Sequence, residues 1–264
     1  KTTLINLLVG IRRPTSGSVR IAGFQADTLE AKLRVGYLPE RPYFSDHLKA
    51  RGFLELMGTL LGMKRERIQE RIPQALAAVG LDYAIDTHIH RFSKGMLQRV
   101  GIAQAILHDP EILILDEPMS GLDPLGRKEI RELIIDLGKQ GRTILFSSHV
   151  VSDVESICES VIMIRRGQLV ASGSIDEVLA RVPSMGAEVL FSGISLEVAA
   201  QRLGDLGEIM RSGSGLLLKL KDAGSLNLVL ARVMESGAKV VNANPIRGSL
   251  ENLLFDSPSK EAQL

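Results

Sequence analysis

Cysteine is nearly absent from this chain, and tryptophan is missing altogether. Cys158 is the one thiol in 264 residues, so no internal disulfide framework can form and the usage suits a reducing compartment. The reading for Cys158 is a small buried residue on a helix. Aromatics are 4%, so the 45% apolar content that can build a large core is overwhelmingly aliphatic. Neither sign of charge prevails: 32 Lys and Arg against 31 Asp and Glu leave +1, which argues against a nucleic-acid scaffold held by bulk charge. No apolar run reaches the length of a membrane span, so a membrane role has to come through a partner. The length is enough for two domains.

The most informative segment is present rather than absent. Residues 111–123 read EILILDEPMSGLD. Four apolar residues, Ile112 to Leu115, have the character of a strand buried on both faces of a parallel sheet. They end in Asp116 and Glu117, at the place where open α/β sheets bind ligands. Two adjacent carboxylates repel each other, and a magnesium ion with a nucleotide phosphate relieves that repulsion while leaving the second acid free to orient water. Taken alone, the run also fits a buried strand and an acidic turn.

The surrounding pattern alternates helix and strand. Helices are expected over 3–9, 48–62, 64–79 (with Pro73 implying a kink or break) and 94–108, with a second buried strand at 143–146. Asp123 and Pro124 have the chemistry of a helix start, and Ile130, Leu133, Ile134 and Leu137 form its apolar stripe. Arg166-Gly167 signals a hairpin, and Ser174 with Glu177 a capping box. Pro183 to Gly186 has linker composition. Beyond it the order becomes β-α-β-β-α-β over 187–243, the ferredoxin-like sequence of elements, with a last helix at 249–255. No titratable cluster stands out there, so that region is expected to regulate or assemble.

Three further segments carry possible chemistry. Lys1-Thr2 matches the tail of the phosphate loop G-x-x-x-x-G-K-[ST]. Ser93, Lys94 and Gly95 open the 94–108 helix, where free N–H groups favour an anion; an ordinary capped helix reads the same way. His149 follows the strand 143–146, at the sheet edge that carries Asp116, as either a phosphate contact or a structural histidine.

Taken together, these segments resemble the nucleotide-binding subunit of an ABC transporter. They are Lys1-Thr2-Thr3, Gly36 to Glu40, Phe92 to Arg99, ILILDEP with Ser120-Gly121-Leu122-Asp123, and Ser147-Ser148-His149. The resemblance covers residues 1 to about 180. It implies a P-loop NTPase α/β fold with a mostly parallel sheet, in a domain over 1–182 with a helical subdomain at about 45–108. A small α+β domain over 187–264, ending near Gly248 to Leu253, resembles accessory domains of exporter-type subunits. The match to the tail of the phosphate loop implies that the chain opens inside that loop, and that as it stands it binds nucleotide poorly.

Roles follow from the resemblance. Lys1 and Thr3 would contact the phosphates of ATP, and Thr2, Asp116 and Glu40 would hold magnesium. Glu117 would act as general base, and His149 would link the attacking water to the γ-phosphate. Ser93, Lys94 and Gly95 would meet the γ-phosphate bound on a second subunit, and Asp123 would sense that subunit. Two heads, identical or not, would close around ATP and drive a separate transmembrane permease from the inner face of the membrane, with no nucleic acid involved. A soluble ABC ATPase of translation or DNA maintenance is the alternative; such proteins carry two heads or a coiled-coil insertion, and this chain has one head and no heptad run. A head that binds ATP without turnover is disfavoured because Asp116, Glu117 and His149 are all present.

The chain departs from the family pattern at three positions. Glu40 stands where Gln is usual, Lys94 replaces a Gly of the signature, and Met96 replaces its Gln. Lys94 either adds charge near the γ-phosphate or faces solvent. Tyr43 and Phe44, just past Glu40, either pack in the core or receive the permease. His88 and His90 with Asp86 read as a solvated loop rather than a metal site, and Arg65 to Arg71 as an exposed helix face.

Overall fold

The computed structural model describes residues 1–182, 186–220, 222–246 and 249–255. The chain divides into two compact units, Lys1–Ile157 and Cys158–Leu264.

The first unit opens with α1 (Thr2–Leu8), a hairpin of β1 (Arg20–Ile21) and β2 (Phe24–Gln25), and α2 (Leu29–Lys32), capped by Thr28. Its frame is a parallel sheet. β3 (Val35–Leu38) is followed by α3 (Ala50–Leu60), α4 (Arg65–Ala78) and α5 (Lys94–Ile106) before β4 (Ile112–Leu115). Then come α6 (Pro124–Lys139), β5 (Thr143–Phe146) and α7 (Val151–Ile157). The sheet order is β3-β4-β5, and the register sets Leu38 beside Leu115 and Leu115 beside Phe146. All three strands therefore end on one line. The residues beyond that line are Glu40, Asp116-Glu117 and Ser147 to His149.

β4 is central, and Leu113, Ile114 and Leu115 are fully buried, as an apolar run without alternation demands. β5 departs from expectation: it is the edge strand, and Ile144, Leu145 and Phe146 are only half-buried. α5 lies directly on β3. A methyl group at Gly36 would collide with the Ala105 carbonyl, and one at Gly101 would come 2.6 Å from Leu38 Cδ1, so both glycines permit the close approach.

Three local expectations are corrected. α4 runs through Pro73 without a break, because Ile68, Ile72, Ala75 and Leu76 bury one face in the main core and hold the helix on both sides of the proline. Arg71 does not lie on a solvated face. Its guanidinium donates to the carbonyls of Ile106 and Leu107 at 3.0 Å, the free end of α5, and also reaches Gln74 and Asp109. Cys158 follows α7 rather than sitting in a helix, and it is half-buried.

The second unit begins with β6 (Ser160–Arg165), β7 (Gln168–Ser174) and α8 (Ile175–Leu179). Arg166 (φ 49°) and Gly167 (φ 81°) both adopt the left-handed conformation of a tight hairpin turn. Ser174 and Glu177 form both arms of the capping box, at 3.2 and 3.0 Å. The proposed linker residues Pro183 to Met185 lie outside the described residues, as does Gly248 near the end of the chain.

The remaining elements are β8 (Ala187–Ser192), α9 (Leu196–Leu203), β9 (Glu208–Ser212), β10 (Gly215–Leu220), α10 (Leu226–Glu235), β11 (Lys239–Pro245) and α11 (Leu250–Phe255). The sheet order β11-β8-β10-β9, antiparallel throughout, is the ferredoxin-like arrangement. Ala187, Val189 and Phe191 alternate inward from β8 and pack with Ala199 and Leu203 of α9 and Val229 and Val233 of α10.

Candidate active site

The carboxyl edge of the parallel sheet gathers four of the expected residues. Asp116 is 1% exposed at the end of β4. Its Oδ1 accepts a hydrogen bond from the Ser147 hydroxyl at 2.5 Å, and its Oδ2 is buried with no protein partner. The same Ser147 oxygen accepts the backbone N–H of Glu117 at 2.9 Å. Ser147 thus ties the end of β5 to the turn after β4. It belonged to the SSH segment, yet nothing in the sequence assigned it a role.

Glu117 is held at both ends. Lys1 Nζ lies 2.5 Å from Oε1, and His149 Nδ1 lies 2.8 Å from Oε2. Burial pushes the Glu117 carboxyl up, but the hydrogen bonds from Lys1 and His149 outweigh it and leave it below the usual carboxylate range. Its backbone sits at φ 50°, a conformation that costs a side-chain-bearing residue energy and that clusters at working sites. The turn is closed by the Ser120 N–H donating to the Glu117 carbonyl at 3.0 Å.

A small cavity of about 40 Å³ opens beside this pair, lined by Glu117, Ser120, Arg127, Ser148, His149 and Asp153 among others. It has room for on the order of one water molecule.

The other expected residues occupy separate positions. Thr2 and Thr3 are exposed in the first turn of α1, and Glu40 is exposed beyond β3. Ser93 Oγ accepts from Met96 N at 3.2 Å and caps α5; Asp123 Oδ1 accepts from Gly126 N at 2.9 Å and caps α6. Both side chains are therefore committed to their own helices. Gly95 has open space where a side chain would stand. Lys94 is exposed, with its ammonium over the backbone at Gly121, in the loop just before Asp123. Phe44 packs edge-on against Phe53 at 5.3 Å, whereas Tyr43 is 92% exposed.

The donors at the strand ends are hard carboxylate and hydroxyl oxygens, the type that suits magnesium, and the orphaned Asp116 Oδ2 is the buried acceptor such an ion would use. Among the described residues no group of three or more His, Cys, Asp or Glu forms a metal cage. His88 and His90 stack loosely at 5.5 Å without further ligands.

Residues 1–120 match the family model described as ABC transporter. An uncharacterized ABC transporter ATP-binding protein of Synechocystis is 40% identical over 254 residues, covering 96% of this chain and 70% of that protein. The bacitracin transport ATP-binding protein BcrA of Bacillus licheniformis is 40% identical over 184 residues, covering 69% of this chain and 59% of BcrA. Among solved structures, CbiO1 of Clostridium perfringens, described as part of the ABC transporter complex cbiONQ, superimposes with a TM-score of 0.60 at 28% identity over 68% of this chain and 74% of its own. The chain belongs to the ATP-binding subunits of ABC transporters, which are ATPases. It spans 54 to 59% of the length of several curated relatives. No helix among the described residues is long and apolar enough to cross a membrane.

Proposed function

We propose that this protein hydrolyses ATP to drive a separate membrane permease, probing its substrate with the cluster around Glu117. The observation that carries this reading is the doubly held carboxylate: Lys1 on one oxygen, His149 on the other, with Asp116 buried beside it. Lys1 is the group that the phosphates of ATP would draw away. Losing that ammonium removes one of the contacts that depress the Glu117 pKa, so the carboxylate becomes a better proton acceptor when substrate arrives. Glu117 then takes the proton of the attacking water, and His149 keeps the carboxylate oriented. Asp116 and Thr2, with Glu40 nearby in the fold, would hold a magnesium ion, which supplies charge neutralisation for the phosphates.

The remaining parts of the reading follow the family. Residues 1–182 serve as the nucleotide-binding domain, with the helical region over about 45–108, and 187–264 as an accessory domain of an exporter-type subunit. A second head, identical or different, completes each ATP site through Ser93, Lys94, Gly95 and Asp123. The permease docks at a groove of about 430 Å³ lined by Ile11, Pro42, Tyr43, Met57, Leu60 and Leu61. Exposed Tyr43 and Leu60 give that groove an apolar rim that stays open among the described residues. The complex places this subunit on the inner face of the membrane, and no nucleic acid takes part.

Glu117→Gln in the full-length protein tests the reading. Hydrolysis should slow by roughly 10²–10⁴-fold, the usual worth of a general base, while ATP still binds. Unchanged turnover with intact binding would remove Glu117 from the chemistry.

A further inference from the structure

The ends of α6 and α7 that face the candidate site are joined by an ion cluster, a buried carboxylate between two half-buried arginines, that the catalytic reading does not use. Asp153 on α7 is 2% exposed, and each of its carboxylate oxygens is taken by an arginine of α6. Arg127 Nη2 lies 2.6 Å from Oδ2, and Arg131 Nη2 lies 2.8 Å from Oδ1. The two arginines are four residues apart and so share one face of α6. A carboxylate at that depth is costly unless it is fully paired, and a hydrophobic contact would hold two helices together at least as well. The cluster therefore calls for a reason other than stability.

Its location supplies one. Asp153 is the only fully buried residue of α7; Val151, Val154 and Ile157 are half-buried, with Ile157 against the main core, so this short helix docks through a charge as well as through apolar contacts. α7 begins two residues after His149, and α6 begins immediately after Asp123. Arg127 and Asp153 also line the small cavity that Glu117 and His149 share.

We propose that Asp153 is a positioning residue for ATP hydrolysis, which with Arg127 and Arg131 fixes the segment carrying His149 against the segment carrying Asp123. Its proposed role is indirect, since both of its carboxylate oxygens are taken by the arginines of α6. It sets where α7 sits, and through α7 the place of the imidazole beside Glu117. The inference rests on the hydrolytic reading of Glu117 and His149.

The test is a set of steady-state measurements on the full-length protein. Asp153→Asn keeps the shape and removes the charge. It should lower kcat on the order of 10- to 100-fold, the range expected when a reacting constellation is misplaced by about an ångström, with KM for ATP changed less than twofold. Asp153→Glu should restore most of the lost kcat. In a His149→Ala background the further loss from Asp153→Asn should vanish, because the imidazole it positions is gone. Arg127→Gln leaves Asp153 paired with Arg131. It keeps the protein folded should Asp153→Asn unfold it, and should show the same selective fall in kcat. An unchanged kcat in Arg127→Gln and folded Asp153→Asn, or an undiminished Asp153→Asn effect without His149, overturns the proposal. If instead Glu117→Gln and His149→Ala both leave hydrolysis intact, the hydrolytic reading itself fails, which is a separate result.

Discussion

The Ser147 hydroxyl stands between the two acids of the site, donating to Asp116 at 2.5 Å and accepting the Glu117 backbone N–H at 2.9 Å. One side chain from β5 thus satisfies a buried carboxylate and the first peptide of the strained turn. Ser147→Ala would orphan both groups, at a cost of about 1–3 kcal/mol for each buried polar group left without a partner. The variant should melt several degrees lower and bind magnesium-nucleotide more weakly. A melting curve that matches the wild type would show that water replaces the hydroxyl without loss.

The paired state of Glu117 has a pH signature. Its carboxyl lies below the ordinary range in the folded protein, so the charged form is the favoured one. Stabilisation from the pairing is therefore complete above the ordinary carboxylate pKa and fades as pH falls through the depressed value. The difference in melting temperature between wild type and Glu117→Gln should be widest near neutrality and should narrow in acid. A difference that stays constant from neutral to strongly acidic solution would contradict the pairing with Lys1 and His149.

Arg71 closes the free end of α5 from a neighbouring helix, through the carbonyls of Ile106 and Leu107. Arg71→Ala leaves both carbonyls without that donor. Its expected cost is about 1–3 kcal/mol, read as a fall in melting temperature of about 2–4 °C per kcal/mol for a chain of this size. Arg67→Ala, which breaks an exposed pair with Glu70, should change stability by less than about 1 kcal/mol.

Cys158 is half-buried, and burial pushes its thiol up to about 11. The thiolate is the reactive form, so alkylation by iodoacetamide at pH 8 should run roughly 100-fold slower than for a free cysteine. Rapid labelling of the folded protein at that pH would show that the thiol is more open than described.

Much of this was legible in the residues themselves. The run Ile112 to Leu115 demanded a fully buried central strand, and its two acids fell at the predicted edge. The β-α-β-β-α-β order in the second half was readable from alternation in β8 and the stripe of α10, and its sheet order followed. The strand 143–146 misled, because an apolar run does not reveal whether it is central or at an edge. Arg71 misled in a different way: spacing marked it as a residue of a polar helix face, and only packing turned it toward a helix end. α7 was read only as a helix at Cys158, which it stops just short of, and its buried charge at Asp153 carries no periodic signal. The pairing of Lys1 with Glu117 joins residues 116 positions apart, a distance over which local pattern carries no signal.

Gly36 lets β3 approach the Ala105 carbonyl of α5, and Gly101 lets α5 close over the Leu38 side chain of β3. A joint with so little clearance transmits displacement instead of absorbing it. Gly36 meets Ala105 and Leu38 meets Gly101, so the loop at Glu40 and the helix end at Ser93 leave that packed pair on the same side, and a push on one loads the other through the same tight seam.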